Sequence, residues 1–206
     1  MKILILGASG RVGQRIVKHT LAGRHDVLAF VRTPEKLTES ADNLTVFKGN
    51  VLNKTDVTTA MEDVDLVVSA LNTDKTNTLS KSMPILIESM KKNQLTRIIT
   101  IGTAGILNSR TEQDLFRFQS NESKRRKTTA AQDHLAAFRY LENSNLDWTI
   151  VCPTFLPDGD AVEGYRVEKD FLPKDGNKIS VGDTAQFAYS MIYNNEFLKT
   201  RVGIAY

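Results

Sequence analysis

The sequence predicts an α/β protein with a doubly wound, mostly parallel sheet. Short apolar segments alternate with segments of helical periodicity through most of the chain, which is the pattern of strands joined by crossover helices. The first apolar segment, Ile3 to Leu6, is unbroken, as expected of a strand that is buried on both faces. A glycine-rich turn at 7–13 joins this strand to the first helical segment.

The later strands are predicted where short runs of β-branched, aliphatic or aromatic residues are bounded by polar or turn-forming residues. In chain order they are 26–31, 44–47, 65–71, 97–101, 147–152 and 201–204. We also expect a small hairpin formed by 163–169 and the region before Asp175-Gly176. Because the strands are parallel, their carboxyl ends meet at one edge of the sheet, and such folds bind their ligands there. The crossovers between the strands are expected to be right-handed.

Helices are predicted between the strands from the spacing of apolar residues. The first begins near Val12, and the others are expected to span about 56–61, 79–94, 123–143 and 181–193. The last of them opens with Ser180-Val-Gly-Asp183, which fits a capping box. The residues at 102–122 are small at first and then polar, which predicts a long irregular segment over the site at the strand ends.

Length and composition indicate an ordinary globular protein. With 206 residues the chain can bury one sizeable core, and we expect a single domain over 1–206. Charged residues make up 25% of the chain and hydrophobic residues 41%. A formal net charge of +3 does not indicate nucleic-acid binding, and we interpret the basic run at 124–127 as a solvated helix face because no aromatic residues interleave it.

The same sequence features predict where the protein works. Cys152 is the single cysteine, so no internal disulfide can form and a reducing compartment is expected. No apolar run reaches the about 18 residues that span a membrane, and the first strand begins so close to Met1 that we expect no signal peptide. We therefore expect a cytoplasmic protein that acts on a small molecule as a monomer or small homo-oligomer, and we assign no metal ligands.

The turn at 7–13 reads Gly-Ala-Ser-Gly-Arg-Val-Gly and predicts a dinucleotide site, the alternative being a plain tight turn. Gly7 permits the turn, Gly10 removes a side chain where a pyrophosphate approaches, and Gly13 lets the helix pack close to the strand. The helix N-terminus adds free N–H donors and a partial positive charge, which suit a phosphate. The predicted contacts in this turn are Gly7, Ser9, Gly10, Arg11, Val12 and Gly13.

Basic residues at the end of the second strand predict which dinucleotide is bound. Arg32 stands where an acidic residue would bind the ribose 2′-hydroxyl of NAD, and its guanidinium can instead pair with the 2′-phosphate of NADP. Arg11 can close on the same phosphate, while Thr33 and Lys36 add a hydroxyl and a second charge. We therefore expect NADP(H) rather than NAD(H); the alternative is a set of solvated surface charges.

Three further strand ends supply candidate cofactor contacts, although each tripeptide can also be an ordinary loop. After the third strand an amide can bond the adenine while a valine packs on its face. After the fourth, small residues let the backbone pass beneath the cofactor, and an asparagine can reach a ribose. After the sixth, backbone groups can hold the nicotinamide carboxamide beside a phenylalanine wall. These contacts are Asn50, Val51, Ala70, Leu71, Asn72, Pro153, Thr154 and Phe155.

The fifth strand ends in Gly102-Thr103-Ala104-Gly105. The Thr103 hydroxyl is expected near the place where nicotinamide and substrate meet, either as a substrate ligand or as a capping hydroxyl. We interpret Cys152 as a small core residue, and His19 and His25 as structural because they lie away from the strand ends.

Taken together, these residues resemble the atypical short-chain dehydrogenase/reductase superfamily. More narrowly, the chain is similar to the small NAD(P)H-binding, NmrA-like group of biliverdin reductase B-like flavin reductases. The motifs that carry the resemblance are GASGRVG, FVR at 30–32, GNV at 49–51, GTAG at 102–105, NSNLDWTIVCPTFL at 143–156 and ISVGDTAQFA at 179–188. The resemblance implies an NAD(P)-binding Rossmann fold with short C-terminal additions.

Two departures from the family pattern bear on function. The group usually has aspartate after the third strand, where Asn50 stands here; its amide can still accept from the adenine amino group. The superfamily also uses Tyr-x-x-x-Lys in the helix after the fifth strand, and the expected positions hold Ala130 and His134. The resemblance makes His134 the remaining acid–base candidate, and the alternative is a histidine packed against the loop.

A literal Tyr-x-x-x-Lys occurs at Tyr165 to Lys169, but we reject it as the catalytic pair. It follows the sixth strand and alternates like a strand itself, so the two side chains do not stack as they would on a helix.

These features favour an NADPH-dependent reductase of a small conjugated acceptor such as a flavin, quinone or tetrapyrrole, because such acceptors can take their proton from water. An alternative is a non-catalytic NADP(H) sensor of the NmrA type, which the missing Tyr/Lys pair favours. An epimerase or isomerase of nucleotide sugars ranks last, since the short C-terminal region leaves little room for a substrate domain.

Overall fold

The computed structural model describes residues 1–73, 76–123 and 127–206. Its strands are β1 (Lys2–Leu6), β2 (Asp26–Val31), β3 (Leu44–Lys48), β4 (Leu66–Ser69), β5 (Arg97–Ile101), β6 (Asp147–Pro153), β7 (Arg166–Lys169) and β8 (Thr200–Ala205). Its α-helices are α1 (Arg11–Ala22), α2 (Lys54–Ala60), α3 (Thr78–Lys92), α4 (Thr129–Glu142) and α5 (Val181–Ser190). Short 3₁₀ turns occur at Pro34–Lys36, Ala104–Ile106 and Arg117–Gln119.

The strands form one sheet in the order β3-β2-β1-β4-β5-β6-β8-β7. All neighbouring pairs are parallel except β7 with β8. The chain starts at β1 in the middle, builds outward to β3 and then returns to build outward from β4. The direction of winding therefore reverses between β1 and β4, which is the switch point where doubly wound folds bind dinucleotides. The predicted α/β class and doubly wound parallel sheet are confirmed.

Side chains of β1 show how the core divides into two layers. Leu4 and Leu6 face a cluster that includes residues of α2, α3 and α4, whereas Ile3 and Ile5 face a cluster that includes residues of α1 and α5. All four are fully buried, which is why this strand has no polar face in the sequence. Burial of each such side chain stabilises the fold by about 1.5–3 kcal/mol relative to exposure.

The predicted hairpin at 163–169 is wrong. Residues Arg166–Lys169 do form a strand, but β7 pairs antiparallel with β8, with Arg166 opposite Ala205. The region before Asp175 makes a turn, closed by the bond from Gly176 N to Pro173 O (2.9 Å). One edge of β8 pairs with β6, so the other edge of β8 has the unpaired backbone groups with which β7 pairs.

Helix α5 begins with half of the predicted capping box. Ser180 Oγ accepts from the Asp183 backbone N at 2.9 Å, as predicted. The Asp183 carboxylate does not bond back to Ser180 N; it accepts from the Tyr206 hydroxyl, Ser180 Oγ (2.8 Å), Val162 N (3.1 Å) and Glu163 N (3.0 Å). Burial by itself would raise the Asp183 pKa, but these donors hold it below its usual value. Asp183 thus fastens the segment before β7 onto the start of α5.

Candidate cofactor-binding site

The glycine turn lies between the carboxyl end of β1 and the start of α1, and two of its glycines are required by close backbone packing. Gly7 has φ +73°, and a methyl group placed on it would lie 2.7 Å from Ala70 O. A methyl group on Gly13 would lie 2.1 Å from Gly7 O. Side chains at these positions would therefore force the turn, α1 and the exit of β4 apart.

Gly10 is less crowded by backbone atoms than the other two glycines. It is exposed, and a methyl group on it would come no closer than 3.2 Å to a protein atom, Gly7 O. Gly10 is the N-cap of α1, where no side chain of the described residues caps the helix and the first turn has no acidic residue. In contrast, Asn53 caps α2 and Ser180 caps α5. The positive end of α1 thus faces outward without a competing protein oxygen from a capping side chain, as an anion site requires.

Gln14 holds the turn to the end of β2, a role that the sequence analysis missed. Its Nε2 donates to Ser9 O at 3.0 Å and to Lys36 O at 3.1 Å, and its Oε1 accepts from the Thr38 hydroxyl at 3.3 Å. The only sequence signal is an amide side chain directly after the third glycine. Through Gln14, the glycine turn and the basic segment after β2 keep a fixed spacing.

The basic residues after β2 lie together at an exposed rim of this site. Arg32, Thr33 and Lys36 are all exposed, and Thr33 starts the 3₁₀ turn Pro34–Lys36. Lys36 N donates to Thr33 O at 3.1 Å, which curls the segment so that its two cations share one short loop.

Arg11 bonds to the segment that follows β6. Its Nη1 donates to Asp158 Oδ1 at 2.9 Å and to Leu156 O at 3.2 Å, across the mouth of the turn toward the segment that follows β6. Both side chains of the ion pair are largely exposed, at 57% for Arg11 and 77% for Asp158. Exposed pairs of this kind contribute about 0–1 kcal/mol, so Arg11 can change partners at little cost.

The residues after β3 are partly engaged within the protein. Asn50 Oδ1 accepts from Leu52 N at 3.0 Å, and Asn50 N donates to Asp56 Oδ2 at 2.9 Å. The carbonyl oxygen expected to accept from an adenine amino group therefore already accepts a backbone N–H. Val51 is 5% exposed and packs in the core, so it leaves little surface for an adenine face.

The residues after β4 support the turn from below. Ala70 N donates to Leu6 O at 2.9 Å, which carries the β1–β4 pairing beyond the strand end. Ala70 and Leu71 are half-buried, and the exposed Asn72 accepts from Thr73 N at 2.7 Å through Oδ1. The backbone of Ala70 and Leu71 thus lies directly against Gly7, where the predicted cofactor path begins.

Thr103 caps the short turn after β5. Its Oγ1 accepts from Gly105 N at 3.4 Å, and the residue stays half-buried. This contact corresponds to the capping role that the sequence left as one of two alternatives.

His134 lies on α4 and lines a cavity of about 20 Å³, room for about one water molecule. Thr100 and Gly102 at the end of β5 line the same cavity, with apolar side chains from α3 and α4. Burial lowers the His134 pKa to about 4, and the neighbouring Asp133 opposes this shift. The imidazole is therefore neutral at pH 7.

Asp133, which the sequence analysis missed, joins α4 to α3. Its buried carboxylate accepts from Leu79 N (3.1 Å), Ser80 N (2.9 Å) and Ser80 Oγ (2.5 Å). These bonds satisfy N–H groups in the first turn of α3. Asp133 thereby fixes the helix that carries His134.

The end of β6 places an aromatic ring at the carboxyl edge of the sheet. Pro153 is buried and Thr154 half-buried, whereas Phe155 is 60% exposed. Ile179 N donates to Phe155 O at 2.9 Å, which holds the residue in place. Cys152, just before it, is fully buried, and burial raises the pKa of its thiol to about 12, in agreement with a core role.

The irregular segment predicted at 102–122 is held down by Arg201 of β8, which the sequence analysis also missed. The Arg201 guanidinium donates to Ile106 O (2.5 Å), Asn108 Oδ1 (2.9 Å) and Asp170 Oδ1 (3.1 Å). The guanidinium carbon, Cζ, also lies 4.6 Å from the centre of the Phe138 ring on α4. One buried cation therefore fixes this irregular segment against both the sheet and α4.

The side chains set aside in the sequence analysis lie elsewhere. Tyr165 packs on Phe187 with ring centres 5.9 Å apart, and Lys169 Nζ lies 5.3 Å from the Phe197 ring. His19 stacks on Tyr189, and His25, at the amino end of β2, bonds the Tyr193 hydroxyl. Of the basic run at 124–127, residues 124–126 lie outside the described residues.

Comparison with known families and structures matches this geometry to a described family. The model of the family described as NAD(P)H-binding matches residues 7–195, from the first glycine of the turn to beyond α5. None of the helices in the described part of the chain is long and apolar enough to cross a membrane. Within the same residues, no three His, Cys, Asp or Glu side chains cluster as a metal site would need.

Three solved structures share the fold over nearly their whole length. A Bacteroides thetaiotaomicron protein provisionally described as an epimerase is 28% identical, with a TM-score of 0.85 over 100% of this chain and 96% of that one. An anaerobilin reductase of Escherichia coli O157:H7 is 21% identical, with a TM-score of 0.81 over 100% and 97%. A short-chain dehydrogenase/reductase of Veillonella parvula, in complex with NADP, is 17% identical, with a TM-score of 0.81 over 100% and 94%.

Proposed function

Because the chain belongs to the NAD(P)H-binding family, we propose that it is an NADPH-dependent reductase that transfers hydride to a small conjugated acceptor. The observation that carries this proposal is the exposed, uncapped N-terminus of α1 at Gly10, fixed by Gln14 beside the cationic rim at Arg32 and Lys36. An anion cradle next to a second cationic site fits a dinucleotide with an additional phosphate.

The preference for NADPH over NADH rests on the rim. A guanidinium and an ammonium within one short loop can neutralise a 2′-phosphate, and the Thr33 hydroxyl can add a hydrogen bond. NAD would instead require an acceptor for its 2′-hydroxyl at this strand end. The Veillonella relative with bound NADP supports the same choice of cofactor.

Each part of the site has one task when the cofactor binds. The α1 N–H groups around Gly10 hold the pyrophosphate, the backbone at 70–71 supports the ribose, and the residues at 153–155 orient the nicotinamide. The cofactor supplies the hydride when bound, and the protein positions it and excludes water. The cover at 104–119, fixed by Arg201, closes the acceptor side of the pocket.

The proposed acceptor class follows from α4, the helix in which the superfamily carries its Tyr-x-x-x-Lys pair and this chain does not. At the positions of that pair α4 presents Ala130, which is exposed, and His134, which is neutral at pH 7. Neither side chain suits protonation of a developing alkoxide, so an acceptor that can be protonated by water fits best. Flavins, quinones and linear tetrapyrroles have this property, and the similarity to an anaerobilin reductase supports a reductase of this kind.

Replacement of Arg32 by glutamate tests the cofactor assignment. Arg32→Glu should raise the Kd for NADPH about 10- to 100-fold and the Kd for NADH less than about threefold, since charge-assisted bonds contribute about 1.5–3 kcal/mol. Titration of the cofactor by fluorescence or calorimetry measures both constants. Lys91→Glu, the same charge change at the exposed end of α3, is the matched control, and equal weakening of both cofactors by Arg32→Glu would refute the 2′-phosphate assignment.

The alternative function is a non-catalytic NADP(H) sensor, which is favoured by Ala130 at the position of the superfamily tyrosine. Turnover distinguishes the reductase from this sensor. NADPH oxidation should be measured with a flavin, a quinone and a linear tetrapyrrole. Turnover with at least one of them is expected. Tight binding of both NADP⁺ and NADPH without any turnover, together with a co-purifying protein, would support the sensor instead.

A further inference from the structure

The segment 156–163, here called the strap, joins β6 to the region of β7 and lies between the N-termini of α1 and α5. On the α5 side it is tightly fastened: Val181 N donates to Pro157 O at 3.1 Å and Gly182 N to Gly159 O at 3.0 Å. A methyl group on Gly182 would lie 2.2 Å from Ala161 N, so helix and strap are in direct backbone contact. This half of the strap is part of the rigid fold.

On the α1 side, the contacts that hold the strap among the described residues are made by exposed side chains. Arg11 Nη1 lies 2.9 Å from Asp158 Oδ1 and 3.2 Å from Leu156 O, and one helical turn later Arg15 Nη1 lies 2.5 Å from Asp160 Oδ1. The two pairs are equivalent in kind, because all four side chains are substantially exposed. They differ in position, since Arg11 belongs to the glycine turn and Arg15 does not.

We propose that Asp158 lowers the affinity for the cofactor: its carboxylate competes with a cofactor phosphate for Arg11. The proposal rests on the proposed function in that the ligand is a dinucleotide. Arg11 directly follows the exposed Gly10. Its guanidinium can therefore bind either Asp158 of the strap or a phosphate at the α1 N-terminus, and it cannot give all of its hydrogen bonds to both.

Charge decides the direction of the effect. In the free protein Asp158 neutralises Arg11, and it also places a negative charge beside the cradle, which repels an incoming phosphate. The exposed ion pair is weak, whereas an arginine binds phosphate through charge-assisted, often bidentate bonds. Cofactor binding therefore turns Arg11 from Asp158 to the phosphate, while Asp183 keeps the rest of the strap on α5 through Val162 N and Glu163 N.

Asp158→Asn tests the competition without a change in side-chain size. Removing the carboxylate should lower the Kd for the cofactor about two- to fivefold, the range expected when a weak exposed pair no longer has to be broken. Asp160→Asn is the matched control, since it breaks the equivalent pair on the same strap away from the turn, and should change the Kd less than about 1.5-fold. In an Arg11→Met background, Asp158→Asn should lower the Kd less than it does in the wild-type background, because only the direct repulsion of the phosphate is left to relieve.

Three ligands show which phosphate Arg11 takes: NADPH, NADH and adenosine 2′,5′-bisphosphate, which lacks the pyrophosphate. Tighter binding of NADPH and the bisphosphate alone supports competition with the 2′-phosphate. Tighter binding of NADPH and NADH alike supports competition with the pyrophosphate, whether or not the bisphosphate, whose 5′-phosphate is half of that group, also binds more tightly.

An unchanged or weaker affinity of Asp158→Asn for all three ligands overturns the inference, and so does an equal gain in Asp160→Asn. If Arg32→Glu behaves as predicted in the same titrations, only the role of Asp158 fails and the proposed function stands. A wild-type protein that binds neither NADPH nor NADH overturns both.

Discussion

At the scale of single residues, the three glycines of the turn serve different ends. Gly7 and Gly13 are fixed by contacts of 2.7 and 2.1 Å that any Cβ would make with backbone oxygens. At Gly10 a methyl group would lie 3.2 Å from Gly7 O, a tight contact that a small shift relieves, and the residue is exposed where a ligand can approach. The sequence motif alone treats the three alike.

This difference predicts opposite phenotypes for two alanine variants. Gly13→Ala should lower the free energy of unfolding by about 1–3 kcal/mol, because the methyl group overpacks a backbone contact. Gly10→Ala should stay within about 1 kcal/mol of wild type, the range of an N-cap change, yet bind NADPH more weakly by about tenfold or more. Denaturant unfolding and cofactor titration of both variants measure the two effects, and a normally stable Gly13→Ala protein would contradict the packing argument.

His134 makes stability depend on pH. Its pKa is about 4 in the folded protein and about 6.5 when unfolded, so between these values only the unfolded chain binds the proton. The contribution is complete above pH 6.5 and is lost as the pH falls toward 4, by about 1–3 kcal/mol in all.

Urea unfolding of wild type and His134→Gln between pH 7 and pH 4.5 measures this contribution. The variant should lose less stability than wild type over the range. His19→Gln is the comparison variant, because burial, together with the nearby Lys18 and Arg15, also lowers the His19 pKa, so this variant too should lose less stability than wild type. Identical slopes for wild type and His134→Gln would contradict the prediction, because they would mean that the imidazole has the same pKa in the folded and the unfolded chain.

At the scale of elements, the cover of the site depends on a residue of the last strand. Arg201 on β8 bonds backbone and side-chain oxygens of the 104–119 segment from 93 and 95 positions away. The segment adds its own bonds, from Ser109 N to Leu115 O (2.8 Å) and from Arg117 N to Leu107 O (2.8 Å). Its closed form therefore needs both local turns and one distant cation.

Arg201→Met should open this cover. Loss of three hydrogen bonds should cost about 1–3 kcal/mol of stability and speed amide exchange over 104–119, while β1 and α1 keep their protection. Arg166→Met is the control, since Arg166 also bonds two carbonyls, Lys174 O and Tyr206 O, but on the exposed strand β7. Hydrogen exchange followed by mass spectrometry reads both variants, and unchanged exchange over the cover would refute the role of Arg201.

At the scale of the whole molecule, both core layers share the strands of one sheet, so we expect cooperative unfolding as a single domain. NADPH at about 100 times its Kd should raise the free energy of unfolding by about 2.7 kcal/mol. For a chain of this size that corresponds to a rise in Tm of about 5–10 °C. Calorimetry should show one transition, and Gly10→Ala should shift less at the same NADPH concentration; two separable transitions would contradict the single domain.

The sequence by itself determined the features that depend on neighbouring residues. Buried strands have continuous apolar runs, so the bounds of β2 and β5 are as predicted, and the glycine turn identified the cofactor class because its requirements lie within seven consecutive residues. Tertiary structure alone decided the partners that come from far along the chain. Asp158 reaches Arg11 across 147 positions, Asp133 caps α3 across 54, and β7 pairs with β8 rather than with its neighbour in sequence. Such contacts depend on how the sheet brings distant loops together, and no local pattern of residues encodes them.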